Sequence, residues 1–402
     1  MSVLAISDHV FEVGASHPDR ELFDCLMPTP HGTTYNAYLV VGSEKTALID
    51  AVDPDKTEIL LKNLRDSGVD RIDYLINLHT EQDHSGSNAA VLRRYPMARL
   101  VANAKVREML ATHIHQSPDE VMLVAEGDRL ELGGKTLRFM MIPFAHWPDN
   151  YMAYLEEDSI LFSSDLFGSH YATSKAFSTS STEQRLAAKA YYAEIMMPFR
   201  SHIAKYTARV RELAPRLIAP AHGPVWYDPE VVLSRYEKWT SDGVKKMVAI
   251  PYISMHDSTR VMIEHLAVKL SQLGISVVAR DLGHRPDSLT IETGHYIMDL
   301  VDAAGVIMAT PTVLGGPHPN MAYAALITNA VKPKTRFFAL VGSYGWGTRV
   351  DETMASLTAG VKAERLPTVL VKGLPLAEDY SRLDALAVDL AAKIKALPDL
   401  ID

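Results

Sequence analysis

The sequence predicts an α/β protein in two domains: residues 1–243 forming two sheets covered by helices, and residues 244–402 forming a doubly wound parallel sheet. Three observations carry this reading. In the first half, short apolar runs of strand length come first and are then mixed with helical patterns, as in layered α/β domains. From residue 247 onward, five apolar runs alternate with helical patterns, the signature of βαβ units and a parallel sheet. Between the halves, Thr240-Ser241-Asp242-Gly243 is a polar break suited to a linker. A chain of 402 residues is long enough for two such domains.

In order, residues 1 to about 30 read as irregular, with a Pro-containing patch at Met27-Pro28-Thr29-Pro30. Residues 35–40 and 46–49 read as a strand pair turning at Gly42-Ser43-Glu44-Lys45. Pro54 opens a helix that Gly68 ends. A strand at 74–77, a helix from Asn88, a strand at 100–102 and a helix from about Ala104 follow. Three short strands are expected between Val121 and Ile142, with turns at Glu126-Gly127-Asp128 and Gly133-Gly134. Strands at 151–155 and 160–163, then helices at about 182–197, 200–213 and 229–239, complete the first half. The second half is expected to carry strands at 247–251, 276–280, 305–309, 337–341 and 368–371, and a last helix at about 379–396.

Composition narrows the function classes. Hydrophobic content of 47% and charged content of 22% are those of an ordinary globular protein. A net charge of -9 argues against a nucleic-acid surface. No apolar run is long enough to span a membrane, and the first residues lack the basic and apolar regions of a signal peptide. The single Cys25 excludes an intrachain disulfide framework and a Cys-ligated iron–sulfur or rubredoxin-type site. A cytoplasmic protein is expected.

The most informative stretch is His79-Thr80-Glu81-Gln82-Asp83-His84, four of whose six residues are metal-ligand types. It follows the apolar run Tyr74-Leu75-Ile76-Asn77, on the kind of strand-end loop where α/β proteins place their chemistry. On an extended segment alternate residues point the same way, so His79, Glu81 and Asp83 are expected to converge while His84 faces elsewhere. That arrangement suits two adjacent metals better than one. Carboxylates among the imidazoles suit iron or manganese as well as zinc. The bland reading is a polar loop that caps the next helix. Three more ligand-type residues stand where an apolar strand meets a Gly- or Pro-bearing turn: His146, Asp165 and His222. Taken singly, a strand-end His is more often hydrogen-bonded structure; as a set they point to a metal site.

This set resembles the metallo-β-lactamase fold, an αββα sandwich with a His-x-His-x-Asp-His loop, a later His, a bridging Asp and a final His. Glu81 in place of the second His resembles the flavodiiron proteins, or type A flavoproteins. Gly32-Thr33-Thr34-Tyr35-Asn36-Ala37-Tyr38-Leu39, His146-Trp147-Pro148-Asp149 and Phe167-Gly168-Ser169-His170 look like that family too. The resemblance implies a non-haem diiron centre of two Fe ions, with His79, Glu81 and His146 on one iron, Asp83, His84 and His222 on the other, and Asp165 between them. It also implies hydroxyls from Tyr191 and Tyr192 beside the metals, although Tyr on an amphipathic helix commonly serves as packing. One departure lies upstream. His17-Pro18-Asp19-Arg20-Glu21-Leu22-Phe23-Asp24 stands where the family carries a Trp- and His-containing stretch.

The second half offers three strand-to-helix loops: Ser254-Met255-His256-Asp257-Ser258-Thr259, Thr310-Pro311-Thr312-Val313-Leu314-Gly315-Gly316 and Gly342-Ser343-Tyr344-Gly345-Trp346-Gly347. Hydroxyls and backbone N–H groups at a helix N-terminus make a phosphate cradle, and Tyr and Trp among glycines suit a planar ring. The plainer reading is that Ser258 and Thr259 cap a helix. The three loops together resemble flavodoxin, with FMN as ligand. Asp257 sets a carboxylate near the phosphate position, and Leu314-Gly315-Gly316 stands where the family carries asparagines.

The resemblance spans nearly the whole chain. It implies reduction of O2 to water, of NO to N2O, or of both, with FMN relaying electrons from a separate donor: rubredoxin, a reduced deazaflavin or a flavoprotein reductase. It implies a head-to-tail homodimer, or a tetramer built from it, with Trp346 near the partner's metal site. Two rival readings are a zinc-dependent hydrolase of the lactamase superfamily and a flavodoxin-like electron carrier on an inert metal domain. Glu81 and the attached flavodoxin-like half oppose the first, and the complete ligand set opposes the second.

Overall fold

The structure is a computed structural model and describes residues 3–113, 115, 121–284 and 288–401. The chain divides into two units, one of residues 1–23, 29–192 and 199–237, the other of 24–28, 193–198 and 238–402.

The first unit holds two sheets. In the larger, the strands run Leu4–Ser7, Val10–Glu12, Tyr38–Val41, Thr46–Ile49, Tyr74–Ile76, Arg99–Ala102 and Val121–Leu123. Pairing is antiparallel as far as Thr46–Ile49 and parallel beyond it. The switch has a simple origin. Short turns join Leu4–Ser7 to Val10–Glu12 and Tyr38–Val41 to Thr46–Ile49, whereas the later strands are separated by the helices Thr57–Asp66, Asn88–Arg94 and Ala104–His113, which parallel neighbours require. The smaller sheet runs Arg129–Glu131, Thr136–Met141, Tyr151–Leu155, Ile160–Phe162 and Leu217–Ala219. Every residue of Tyr74–Ile76, Tyr151–Leu155, Ile160–Phe162 and Leu217–Ala219 is buried, the continuous apolar signature of strands covered on both faces.

The first thirty residues are not irregular. Leu4–Ser7 and Val10–Glu12 extend the larger sheet through Val10 opposite Val40, and Ala15–His17 pairs with Thr33–Tyr35. Strands of three or four residues carry too little periodicity to be read alone; their partners make them.

The second unit is a parallel sheet in the order Ser276–Asp281, Lys245–Tyr252, Ala303–Val313, Phe337–Tyr344, with Glu364–Arg365 and Val369–Lys372 both on the last edge. The order reverses between Lys245–Tyr252 and Ala303–Val313, and such switch points open the crevice where open α/β sheets bind ligands. Helix Ser258–Gln272 buries Met262, Ile263, Leu266 and Leu270 in the core, where Ala377–Lys395 contributes Leu383, Leu386 and Leu390. Ala303–Val313 is longer than the sequence indicates: Thr310–Val313 remain in the strand because Gly316–Pro317 folds back on Thr312 and Val313, so only Leu314 and Gly315 form the turn.

Candidate functional site

The C-terminal ends of four buried strands of the first unit deliver the seven ligand-type residues. His79 follows Tyr74–Ile76, His146 follows Thr136–Met141, Asp165 follows Ile160–Phe162, and His222 follows Leu217–Ala219. The expected alternation along residues 79–84 does not occur. Glu81 caps a short helix, Gln82–Ser85, so the chain turns after Glu81 and carries Asp83 and His84 away from it. Asp83 therefore joins His84 and His222, while Glu81 joins His79 and His146.

The distances define two groups sharing one carboxylate. Glu81 Oε2 lies 3.2 Å from both His79 Nε2 and His146 Nε2. Asp83 Oδ2 lies 3.1 Å from His222 Nε2, and Asp83 Oδ1 lies 3.7 Å from His84 Nε2. Asp165 stands between them. Its Oδ2 is 3.6 Å from His79 Nε2 and 3.7 Å from His146 Nε2; its Oδ1 is 3.1 Å from His84 Nε2 and 3.5 Å from His222 Nε2.

Three of the four imidazoles are oriented from behind. His79 Nδ1 bonds Asp149 Oδ2 at 3.0 Å, His84 Nδ1 bonds Asp50 Oδ2 at 3.2 Å, and His222 Nδ1 donates to the Thr34 carbonyl at 2.6 Å. Each bond fixes the ring and leaves Nε2 facing the cluster, the usual arrangement behind metal-binding histidines. Asn150 Nδ2 and the Tyr191 hydroxyl donate to Asp165 Oδ2 and Oδ1 at 3.2 and 3.1 Å. Asp50, Asp149 and Asn150 had no assigned role in the sequence, because nothing in spacing links Asp50 to His84 or Asp149 to His79. The two tyrosines part company: Tyr191 reaches Asp165, whereas the Tyr192 ring packs edge-on against Tyr236, 5.3 Å away.

The charges are mutually dependent. Burial opposes a charge on His79, but Asp149, Glu81 and Asp165 outweigh it and lift the imidazole to about 10. Burial likewise opposes charge on His222, and Asp165 and Asp83 lift it to about 9. Against burial, His84 holds Asp165 well below the usual carboxylate range, and His146 and His79 do the same for Glu81. Neither Asp83 oxygen accepts a hydrogen bond although both are buried. Four imidazoles aimed at three carboxylates, with one carboxylate unbonded, form a donor set that fits divalent cations. Each group is a two-His, one-carboxylate triad, a set that suits non-haem iron.

Aromatic residues close around this centre. Phe23, in the stretch that departs from the family pattern, stacks on His170 at 4.3 Å and meets His222 edge-on at 5.7 Å. His17 Nδ1 is 3.3 Å from the Tyr35 hydroxyl. His170 is buried, with Nδ1 2.9 Å from Thr33 Oγ1 and Nε2 unpartnered; burial and then His222 hold it neutral.

In the second unit the three loops gather at the C-terminal edge of the parallel sheet, on strands that flank the switch point. Ser258 and Thr259 open helix Ser258–Gln272, and Thr259 Oγ1 meets Ser343 Oγ at 3.2 Å, tying the first loop to the third. Asp257, at φ +66°, turns its carboxylate to Arg260, 3.0 Å away, and so is neutralised at the helix start. Ser254 Oγ accepts from the Arg260 N–H at 3.2 Å. Met255 and His256 are exposed. Thr310 Oγ1 donates to the Pro311 carbonyl, and Thr312 Oγ1 donates to Thr348 Oγ1. A Cβ placed on Gly315, Gly345 or Gly347 would meet nothing within 4 Å, so the loops leave an open cradle beside Tyr344 and the 94% exposed Trp346. A helix N-terminus, hydroxyls and an uncovered aromatic edge fit a planar ring bearing a phosphate.

Comparison with known proteins agrees with this geometry. Residues 33–223 match the family model described as ODP family beta lactamase. A coenzyme F420H2 oxidase from Methanothermobacter marburgensis is 34% identical, over 88% of this chain and 89% of its own. A nitric oxide reductase from Moorella thermoacetica is 31% identical over 97% of this chain and 98% of its own. Among solved structures, the rubredoxin oxygen:oxidoreductase of Desulfovibrio gigas superposes with a TM-score of 0.92 at 28% identity, covering 98% of this chain and 99% of that one. The chain, a metallo-β-lactamase-like αββα sandwich followed by a flavodoxin-like domain, belongs to the flavodiiron, or type A flavoprotein, family.

Proposed function

We propose that this protein is a flavodiiron oxidoreductase that reduces O2 to water, NO to N2O, or both, with FMN relaying electrons from a separate donor. The observation that carries the reading is Asp165: one carboxylate oxygen faces the His79/Glu81/His146 triad and the other faces Asp83/His84/His222. In this reading His79, Glu81 and His146 would hold one iron, Asp83, His84 and His222 the other, and Asp165 would serve both. Ser254 to Thr259, Thr310 to Gly315 and Ser343 to Gly347 would hold FMN. Bound there, two irons and a reduced flavin would together supply the four electrons that O2 reduction requires, and the irons would bind the gas.

The chain's own residues prepare that chemistry. Asp149 and Asp50 fix the rings of His79 and His84, and the Thr34 carbonyl fixes His222. The Tyr191 hydroxyl donates to Asp165 Oδ1, which keeps that oxygen turned toward His84 and His222. Phe23 and Tyr35 wall the His222 side with apolar surface and limit water there.

We assign the working form as a head-to-tail homodimer, supported by apolar side chains left uncovered at the flavin edge: Leu314 at 98%, Trp346 at 94% and Met255 at 49% exposed. The donor is a separate protein or a reduced deazaflavin. Among the described residues no helix is long and apolar enough to cross a membrane, and we place the protein in the cytoplasm. The test is anaerobic turnover of the iron- and FMN-loaded protein after reduction, with O2 and NO consumption compared. Consumption of neither gas, alongside thioester or lactone hydrolysis by zinc-loaded protein, would overturn the reading in favour of a hydrolase.

A further inference from the structure

The second unit lines a partly open cavity of about 150 Å³ that none of the chemistry above uses. Its wall is largely apolar, with Met27, Pro28, Ile297, Ile327 and Val331 contributing. Two polar side chains interrupt that wall. Thr293, on helix Ser288–Leu300, is 2% exposed, and its hydroxyl has no hydrogen-bond partner. Glu194 lies on the wide π-helical turn Tyr192–Met196. Both line the cavity, and a Cβ on Gly294, the residue after Thr293, would lie 3.4 Å from Glu194 Oε1.

Among the described residues Glu194 has no counter-charge. Burial alone pushes its carboxyl up to about 8. Among the described residues the titratable group that faces it is Tyr323, whose hydroxyl is itself raised, by burial first and by Glu194 second. A hydroxyl buried in an apolar wall without a partner opposes folding unless something meets it, and a carboxyl stands in the same wall. The guest that meets both is a cation with several donors. An ammonium carries three N–H donors and no acceptor, so it bonds a carboxylate and a hydroxyl oxygen together. A neutral guest with an acceptor oxygen could accept from the protonated acid or from the Thr293 hydroxyl, but gains no charge-assisted bond. Charge-assisted bonds are the stronger kind. The apolar remainder has room for one benzene-sized ring.

We propose that this cavity binds a small organic ammonium ion, its amine held between the Glu194 carboxylate and Thr293 Oγ1 and its ring-sized body packed against Ile297, Ile327 and Val331. The proposal is independent of the metal and flavin assignments.

The probes are benzylamine and its neutral isostere benzyl alcohol, titrated calorimetrically at neutral pH into the full, cofactor-loaded protein. Benzylamine is expected to bind saturably at about millimolar concentration or below. Benzyl alcohol should bind roughly tenfold more weakly or worse, since it lacks the charge. Glu194→Gln should abolish the preference for the amine while leaving iron and flavin content unchanged, and Thr293→Val should weaken the amine severalfold. Ala330→Phe, which adds a ring at the cavity rim, should block benzylamine with Glu194 intact and serves if the Gln variant folds poorly. No saturable benzylamine binding, equal binding of the two probes, or benzylamine binding that survives Glu194→Gln or Ala330→Phe would each overturn the proposal.

Discussion

Asp149 offers the sharpest test of how the metal centre is built. It is fully buried, and its Oδ2 accepts from His79 Nδ1 at 3.0 Å and from the Thr80 N–H at 2.8 Å. Asp149→Ala strands both donors away from water. At about 1–3 kcal/mol for each unmet donor, the apoprotein should lose roughly 2–6 kcal/mol of stability. Asp149→Asn can keep both bonds through its amide oxygen but gives up the charge that strengthens them, a loss of about 1 kcal/mol. Removing the group behind a metal-binding histidine costs about 10–100-fold in metal affinity. The Asn variant should therefore bind iron about tenfold more weakly and the Ala variant about a hundredfold. The loss should fall on the iron we assign to His79, Glu81 and His146, leaving about one iron per chain. Iron content after equilibration with graded chelator measures the first quantity, and urea unfolding of the apoprotein measures the second. Wild-type chelator midpoints in both variants, with the apoprotein destabilised, would show that Asp149 is only a structural acceptor and refute the reasoning. Equal iron loss in Asn and Ala would assign the effect to charge rather than to ring orientation.

Four further outcomes are expected. Asp165→Ala should lose both irons and gas reduction while retaining flavin, as read by metal analysis and visible absorbance; wild-type turnover would contradict the bridging role. Ser258→Ala with Thr259→Ala should weaken flavin binding about ten- to hundredfold while keeping iron, since two hydroxyls leave the cradle. Gly223→Ala should lose the iron held by Asp83, His84 and His222 and cost about 1–3 kcal/mol, because Gly223 sits at φ +79° and a Cβ there would lie 2.1 Å from Ser169 Oγ. Glu12 is buried, and burial raises its carboxyl from 4.5 to about 7. The folded state thus holds this proton more tightly than the unfolded chain, so the penalty is absent below pH 4.5, grows from there to pH 7 and is complete above it. Glu12→Gln should accordingly stabilise the protein by about 3 kcal/mol at pH 8 and by little at pH 5, measured by urea unfolding; equal gains at both values would exclude this cause.

Much of the fold is legible in the sequence, and the reason differs by region. The strands of the second unit announce themselves because a parallel sheet covered on both faces needs unbroken apolar runs, and Met247 to Pro251 or Phe337 to Val341 are such runs. Strands Leu4–Ser7 and Val10–Glu12 do not, because their conformation comes from pairing with each other and, for Val10–Glu12, with Tyr38–Val41. The extended reading of residues 79–84 fails for a related reason. Gln82–Ser85 is helical over a single turn, too short to show a period, and it is held by bonds such as Ser85 Oγ to the Thr80 carbonyl at 2.6 Å.

By itself, then, the sequence determined the two-part α/β architecture and drew attention to seven ligand-type residues, because ligand chemistry and apolar strands are written in consecutive residues. Residue spacing did not divide the seven: the family resemblance implied the division, and the tertiary structure supplies its geometry. It put Asp83 with His222 rather than with Glu81, turned the two oxygens of Asp165 to different triads, and set Asp50 and Asp149 behind imidazoles 34 and 70 residues away in the chain. It also left Glu194 and Thr293 facing one apolar cavity. Each of these depends on the direction of a side chain relative to a distant partner, and direction across long chain separations is fixed by packing.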